Sequence, residues 1–287
     1  MKLRLGSIEF INSLPVDLGL LTGAVRLEAD FVQGSPVALN NKLLGGELDI
    51  SPVSSFFYAE HADRLVLLPE LSISSESSVE SVLLFSREKI ENLKNQTLRI
   101  TGKGRTTPAL LEILCRERYD FRPRLELLST PFDGELGDAE GVLLIGDEAL
   151  EWKQRLKRRS LKVTDLAEEW REWTKLPFVF AVWAARRDFF SKNPGRTLEA
   201  WEAILRSRDW GFANMEQVFA RSEQKTGLPK PILQSYFSRL SYDFNEKHKK
   251  GMALYFEYAV KCGLLEAARG IEEVSPVPSG QFLGAKT

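Results

Sequence analysis

Apolar and polar residues alternate over residues 3–10 (L-R-L-G-S-I-E-F), the period of a strand with one covered face. The turn Ile11–Pro15 leads into a short helix at Val16–Leu21, and Val25–Val32 reads as the next strand. Gly34-Ser35-Pro36 opens a helix through Leu44, with Ser35 placed to cap it and Pro36 to fill its first position. Gly45-Gly46 ends that helix, and Leu48–Val53 returns as a strand. This β-α-β-α-β order predicts a parallel sheet with right-handed crossovers.

Leu65–Ser74 and Val79–Ser86 carry the chain out of this first unit. Glu88–Asn92 and Leu98–Ile100 begin a second one, in which the polar turn Thr101–Thr107 opens a helix from Pro108 to about Arg118. Leu125–Leu128 and Gly141–Ile145 read as strands, and Asp147–Lys157 as a helix. From Leu176 to Ala185 the chain is almost wholly apolar, the pattern of a strand buried on both faces. That run is too short for a bilayer, which needs about 20 apolar residues. Beyond Asp188 the period is helical: Thr197–Ser207, Asn214–Thr226, Lys230–Ser238 and Asn245–Cys262, with caps or breaks at Pro194-Gly195, Gly211, Gly227 and Gly263. After about Ser279 the sequence reads as a loose tail.

The expected class is therefore α/β with two lobes. Lobe one is residues 1–86 with 187–287, lobe two is 87–186, and Val79–Phe85 and Phe178–Trp183 are the strands crossing between them. A cleft at such a double crossing is where a small ligand binds.

Composition narrows the partner. Lys+Arg at 39 against Asp+Glu at 40 gives a net charge of −1. Nucleic acid and anionic membranes both reward an excess of basic residues, so neither is the expected partner. The N-terminus has no apolar h-region or small-residue cleavage site, so a cytoplasmic chain is expected. Cys115 and Cys262 lie far apart in helical segments and fit reduced, partly buried thiols.

Five words occur in order: I-E-F-I-N-S-L-P (Ile8–Pro15), G-E-L-D-I-S-P-V (Gly46–Val53), S-V-E-S-V-L-L-F-S (Ser78–Ser86), L-L-I-G-D-E-A-L (Leu143–Leu150) and L-P-F-V-F-A-V-W (Leu176–Trp183). Together they resemble the chorismate dehydratase family of the futalosine route to menaquinone, over most of residues 1–185 and more weakly beyond. The resemblance implies a fold like the type 2 periplasmic binding proteins, with two crossing strands and a helical C-terminal part. It implies dehydration of chorismate to 3-[(1-carboxyvinyl)oxy]benzoate, without metal or organic cofactor. The paralogous 1,4-dihydroxy-6-naphthoate synthases share the fold. They are expected to use a nucleophile or base, such as a histidine, for which this chain offers no evident position.

Asn12 lies on the turn after the first strand, where ligands of open α/β sheets bind. By itself it reads as a turn asparagine; the resemblance makes it a catalytic amide. Ser81, inside the apolar V-E-S-V-L-L, is either a buried bonded hydroxyl or a cleft-facing group, and it is the second catalytic candidate. Ser35 and Ser54 stand with Ser51 and Ser55 at strand-to-helix junctions, where capping and carboxylate binding are compatible. Ser74 lies on the polar edge Ser74–Ser78, where the family usually has glycine at the position of Ser77. Thr106 and Thr107, beside Thr101 and G-K-G-R, resemble a cradle for an anion but lack the Walker A spacing. Lys103 and Arg105 read as solvated loop charges. Gly146 and Asp147 end the strand G-V-L-L-I-G, Asp147 reading as a helix cap that the resemblance brings to the cleft. His61 and His248 sit in polar, helix-like contexts that predict surface placement. Trp170, Trp173 and Trp183 read as packing residues, Trp173 with a possible place on the cleft wall.

The matched words supply amides and hydroxyls but no general base. The expected mechanism has the substrate's own enolpyruvyl carboxylate take the C3 proton while the protein holds the geometry. A solute-binding protein for small anions is the alternative from another class, because fold alone does not decide function.

Overall fold

Among the residues that the computed structural model describes (2–102, 104–156 and 161–275), ten strands form two five-stranded sheets. They are β1 (Leu3–Ile8), β2 (Ala29–Gly34), β3 (Ile50–Ser54), β4 (Leu65–Ser75), β5 (Val82–Ser86), β6 (Thr97–Ile100), β7 (Arg124–Leu127), β8 (Gly141–Ile145), β9 (Lys162–Asp165) and β10 (Phe178–Arg186). The first sheet has the order β2-β1-β3-β10-β4 and the second β7-β6-β8-β5-β9. Strands β1, β2 and β3 are parallel, as the β-α-β-α-β order predicts, whereas β10 runs antiparallel between β3 and β4. In the second sheet β6, β7 and β8 are parallel and β5 is antiparallel to β8 and β9.

The crossings differ from the expected ones. Val82–Ser86 belongs to the second sheet and Phe178–Arg186 to the first, so the chain passes between sheets in the short segments 76–81 and 175–177. Each contains a non-glycine residue with positive φ, Glu80 at 61° and Lys175 at 63°. Ser77 is not among the positive-φ residues, so serine meets no backbone strain there.

Helices α1 (Leu14–Leu21), α2 (Pro36–Leu44) and α3 (Ser55–Glu60) accompany the first sheet. Helix α4 (Thr106–Ile113) passes into a π-helical turn at Leu114–Arg118, replacing the single helix expected to Arg118. Helix α5 is Asp147–Arg155, and α6 is Leu166–Thr174, a helix not among those expected; Lys157 lies outside the described residues. Then come α7 (Arg187–Lys192), α8 (Pro194–Ala213), α9 (Met215–Thr226), α10 (Lys230–Phe237) and α11 (Glu246–Lys261).

Gly211 does not break α8, contrary to expectation. It lies within the helix because a Cβ there would come 2.0 Å from the Pro15 carbonyl oxygen, so glycine is what lets α8 seat against α1. The largest core cluster joins both sheets through Val53, Leu84, Leu98, Leu110, Trp170, Phe178 and Tyr255. Helix α11 lies behind that junction: Tyr255 donates to the Thr106 carbonyl (2.9 Å), and a Cβ on Gly251 would meet the Pro177 carbonyl. Trp173 stacks near Tyr258 and is not on the cleft wall. His248, expected at the surface, is fully buried in α11 with Nδ1 3.0 Å from Asn245 Oδ1; burial lowers its pKa. Cys115 and Cys262 are free and buried.

Candidate active site

A cavity of about 610 Å³ opens between the two sheets, within the size range of small-molecule sites. Its first-sheet wall comes from Phe10, Asn12, Asn40, Ser54 and Phe56; its second-sheet wall from Val82, Thr107, Leu125 and Gly146. Phe180, Ala181 and Leu240 close the rear. The surface is largely apolar, with a few polar groups converging on it.

Asn12 stands where expected, on a 3₁₀ turn at Ile11–Ser13 just beyond the carboxyl end of β1. Its neighbours hold the turn: Tyr242 donates to the Asn12 carbonyl (2.7 Å), and Ser13 Oγ donates to the carbonyls of Ile8 and Phe10. Beneath it Asp17 accepts from Ser7 Oγ at 2.6 Å; burial pushes its pKa up to about 7. Among the described residues the side-chain oxygen Asn12 Oδ1 is buried with no partner, and so is Asn40 Oδ1 on α2, a residue that no local sequence feature marks. Unpartnered buried acceptors are rare in native proteins and call for a donor. Two on one cavity wall suit a hydroxyl-bearing ligand.

Ser81 lines the cavity at the end of the first crossing and is 3% exposed. Tyr236 from α10 donates to Ser81 Oγ at 3.2 Å, and the Ser81 carbonyl accepts from Gly146 N–H at 2.8 Å. Gly146 needs its hydrogen side chain: φ is 65° and a Cβ would press on the Phe10 ring at 3.1 Å.

Thr106 and Thr107 both line the cavity but are used differently. Thr106 Oγ1 accepts the Phe56 N–H from α3 at 3.2 Å, joining the two sides. No hydrogen bond of Thr107 Oγ1 is found among the described residues, nor of Thr101 Oγ1, which also lines the cavity. Ser54 lines the cavity while accepting the Phe57 N–H as the cap of α3.

Three expected site residues are not brought here. Ser35 caps α2 through the Ala38 N–H and does not line the cavity, although Pro36 and Val37 do. Ser74 is fully buried within the first sheet, bonded to Ser72 Oγ and the Ser241 carbonyl. Asp147 neither caps its helix nor faces the cavity. Its carboxylate accepts the Ile11 N–H at 3.1 Å and pairs with Lys225 at 3.0 Å, tying α5 to the Asn12 turn and to α9.

Charge on the wall is sparse. Arg105 is the basic side chain that lines the cavity among the described residues; it lies over the Phe56 ring and pairs with Glu60, itself on the wall. Glu112 is engaged by Arg116 at 3.1 Å. Lys103 lies outside the described residues. Among those residues no group of three or more His, Cys, Asp or Glu side chains is placed to hold a metal ion. No helix there is long and apolar enough to cross a membrane.

Residues 3–261 match the family model described as menaquinone biosynthesis. The chain is 34% identical to the chorismate dehydratase of Thermus thermophilus over 272 residues, covering 88% of this chain and 93% of that one. It is 25% identical to the 1,4-dihydroxy-6-naphtoate synthase of the same organism over 283 residues, covering 96% and 98%. In fold it is similar to the periplasmic aliphatic sulphonate binding protein SsuA of Escherichia coli, with a TM-score of 0.68, 16% identity and coverage of 99% and 96%. That likeness identifies the two-lobed periplasmic-binding-protein architecture and nothing about chemistry. With the family match spanning both sheets and all of the cavity wall except Leu264, the chain belongs to the menaquinone-biosynthesis family, to which its resemblance to chorismate dehydratases pointed.

Proposed function

We propose that this chain is a chorismate dehydratase, a carbon–oxygen hydro-lyase that converts chorismate to 3-[(1-carboxyvinyl)oxy]benzoate and water in the futalosine route to menaquinone. The observation that carries this reading is the pair of buried, unpartnered amide oxygens, Asn12 Oδ1 and Asn40 Oδ1, on an otherwise apolar cavity that also presents Ser81 and Thr107. The one ring hydroxyl has a single proton to give, enough for one of these oxygens, and apolar walls accept the ring. The identity to the Thermus dehydratase over 88% of the chain supports the same reading.

The chemistry removes C3–H and the C4 hydroxyl. The C3–H bond is vinylogous to the ring carboxylate, so the developing charge spreads toward that group. Loss of hydroxide from C4 then makes the ring aromatic, and hydroxide with the removed proton gives water. Asn12, through the N–H groups of its amide, and Ser81, through its hydroxyl, are assigned as donors to the C4 oxygen as it leaves. Fixed donors in a dry site are worth far more than in water.

Both carboxylates on the wall, Glu60 and Glu112, are held by arginines. The proton acceptor in this mechanism is therefore the substrate's enolpyruvyl carboxylate, held against C3 by the cavity. Thr107 and the Arg105 guanidinium are assigned to substrate carboxylates. The reaction is placed in the cytoplasm, which agrees with two buried free thiols.

Incubating the purified chain with chorismate and weighing the products tests this. A product lighter by one water is expected. Chorismate recovered unchanged while still bound would instead make the chain a small-anion binding protein.

A further inference from the structure

The buried contact between Tyr236 and Ser81 reaches the cavity from outside it. Tyr236 is on α10, 155 residues from Ser81 in sequence, fully buried among Ile11, Leu150, Val218 and Leu233. Its hydroxyl donates to Ser81 Oγ at 3.2 Å, and no other hydrogen bond of Ser81 Oγ is found among the described residues. A phenol hydroxyl has one proton to give, as has a serine hydroxyl. With the tyrosine proton on Ser81 Oγ, the serine proton is left for the cavity that Ser81 lines. Burial raises the Tyr236 pKa, the Ser81 contact opposes the rise and Asp147 and Glu80 add to it, so the phenol keeps its proton.

We propose that Tyr236 is a positioning residue of the reaction, one that makes Ser81 a hydrogen-bond donor toward an oxygen on the ligand. Chained hydrogen bonds polarise one another, so Ser81 becomes a stronger donor while Tyr236 holds it. This polarity selects an acceptor at that point of the ligand, such as an oxygen gaining negative charge as it leaves carbon, and disfavours a cation. The inference rests on the dehydratase reading above and adds to it a residue that never touches substrate.

The test is a double-mutant cycle on the full chain with chorismate. Tyr236→Phe keeps the shape and removes the proton; kcat is expected to fall about tenfold or more while KM and melting temperature stay close to those of the unaltered chain. Ser81→Ala removes the group through which Tyr236 acts, so adding Tyr236→Phe to it should lower kcat no further. Losses that multiply, or an unchanged kcat in Tyr236→Phe, overturn the proposal. Should Tyr236→Phe not fold, site-specific 3,5-difluorotyrosine at position 236 retains the hydroxyl and makes it more acidic. An alkaline fall in kcat absent from the unaltered chain is then expected, and an unshifted pH profile overturns the assignment. Absence of product from the unaltered chain overturns the dehydratase reading and this inference together, whereas normal turnover by the unaltered chain with either negative result overturns the inference alone.

Discussion

Asp165 accepts the backbone N–H of Glu80 at 2.7 Å, across the passage between the two sheets. The same oxygen takes the Val79 N–H at 2.9 Å, and the other oxygen caps α6 through Ala167 and Glu168. One carboxylate thus holds Glu80 at positive φ and delivers Ser81, the next residue, to the cavity. Asp165→Ala leaves buried N–H groups without an acceptor, at about 1–3 kcal/mol each. It should lower both the denaturation midpoint and kcat, whereas an unaltered kcat would detach Ser81 from this support.

Asn12→Ala should reduce kcat by about 10²–10³, the loss typical of one transition-state donor, with little change in melting temperature. The backbone bond from Tyr242 to the Asn12 carbonyl survives the change, which is why the turn should persist. Near-normal turnover would make Asn12 a turn residue only.

The two threonines should separate cleanly. Thr107→Val is expected to raise KM for chorismate and leave stability alone, because Thr107 Oγ1 supports no element found among the described residues. Thr106→Val should instead lower the melting temperature, since it strips the acceptor from the Phe56 N–H. The reverse pattern would exchange their roles.

Acid stability follows from Asp17. Burial raises its pKa from the usual 3.8 to about 7. The folded chain therefore holds a proton that the unfolded chain has already lost, and its contribution is complete below the unfolded value and fades as pH rises through the folded one. Asp165, raised by burial to about 6, acts in the same direction. Asp17→Asn, which is neutral at every pH, should gain stability relative to the unaltered chain at pH 8 and not at pH 4. Urea midpoints at the two pH values measure this.

Gly211→Ala places a methyl group where the Pro15 carbonyl already stands. Overpacking of this kind costs about 1–3 kcal/mol or more. The shift falls on α1, which follows the Asn12 turn directly, so a lower melting temperature should come with a lower kcat.

Local words in the sequence located the parts of the site that local geometry makes. Asn12 on its turn, Gly146 at a strand end and the Thr106–Thr107 pair opening α4 are all features of a few consecutive residues. Asp147 and Ser74 went astray because their partners, Ile11 and Lys225 for one and Ser241 for the other, are brought by distant segments. Periodicity also misplaced Gly211: a break and a close approach between helices both ask for glycine, and only packing tells them apart. Asn40, Tyr236 and the Arg105–Glu60 pair carry no local mark, since their meaning lies in what faces them across the fold.

Strand β10 sits between β3 and β4, yet it is made only after the whole of the second sheet. On a ribosome, β1 to β4 emerge early with the place between β3 and β4 empty and the facing edges of those two strands unpaired. The second sheet, contiguous from β5 to β9, has all of its strands in hand before β10 appears. The second sheet can therefore close before the first, and the edges of β3 and β4 stay open to other strands until β10, ending at Arg186, is available.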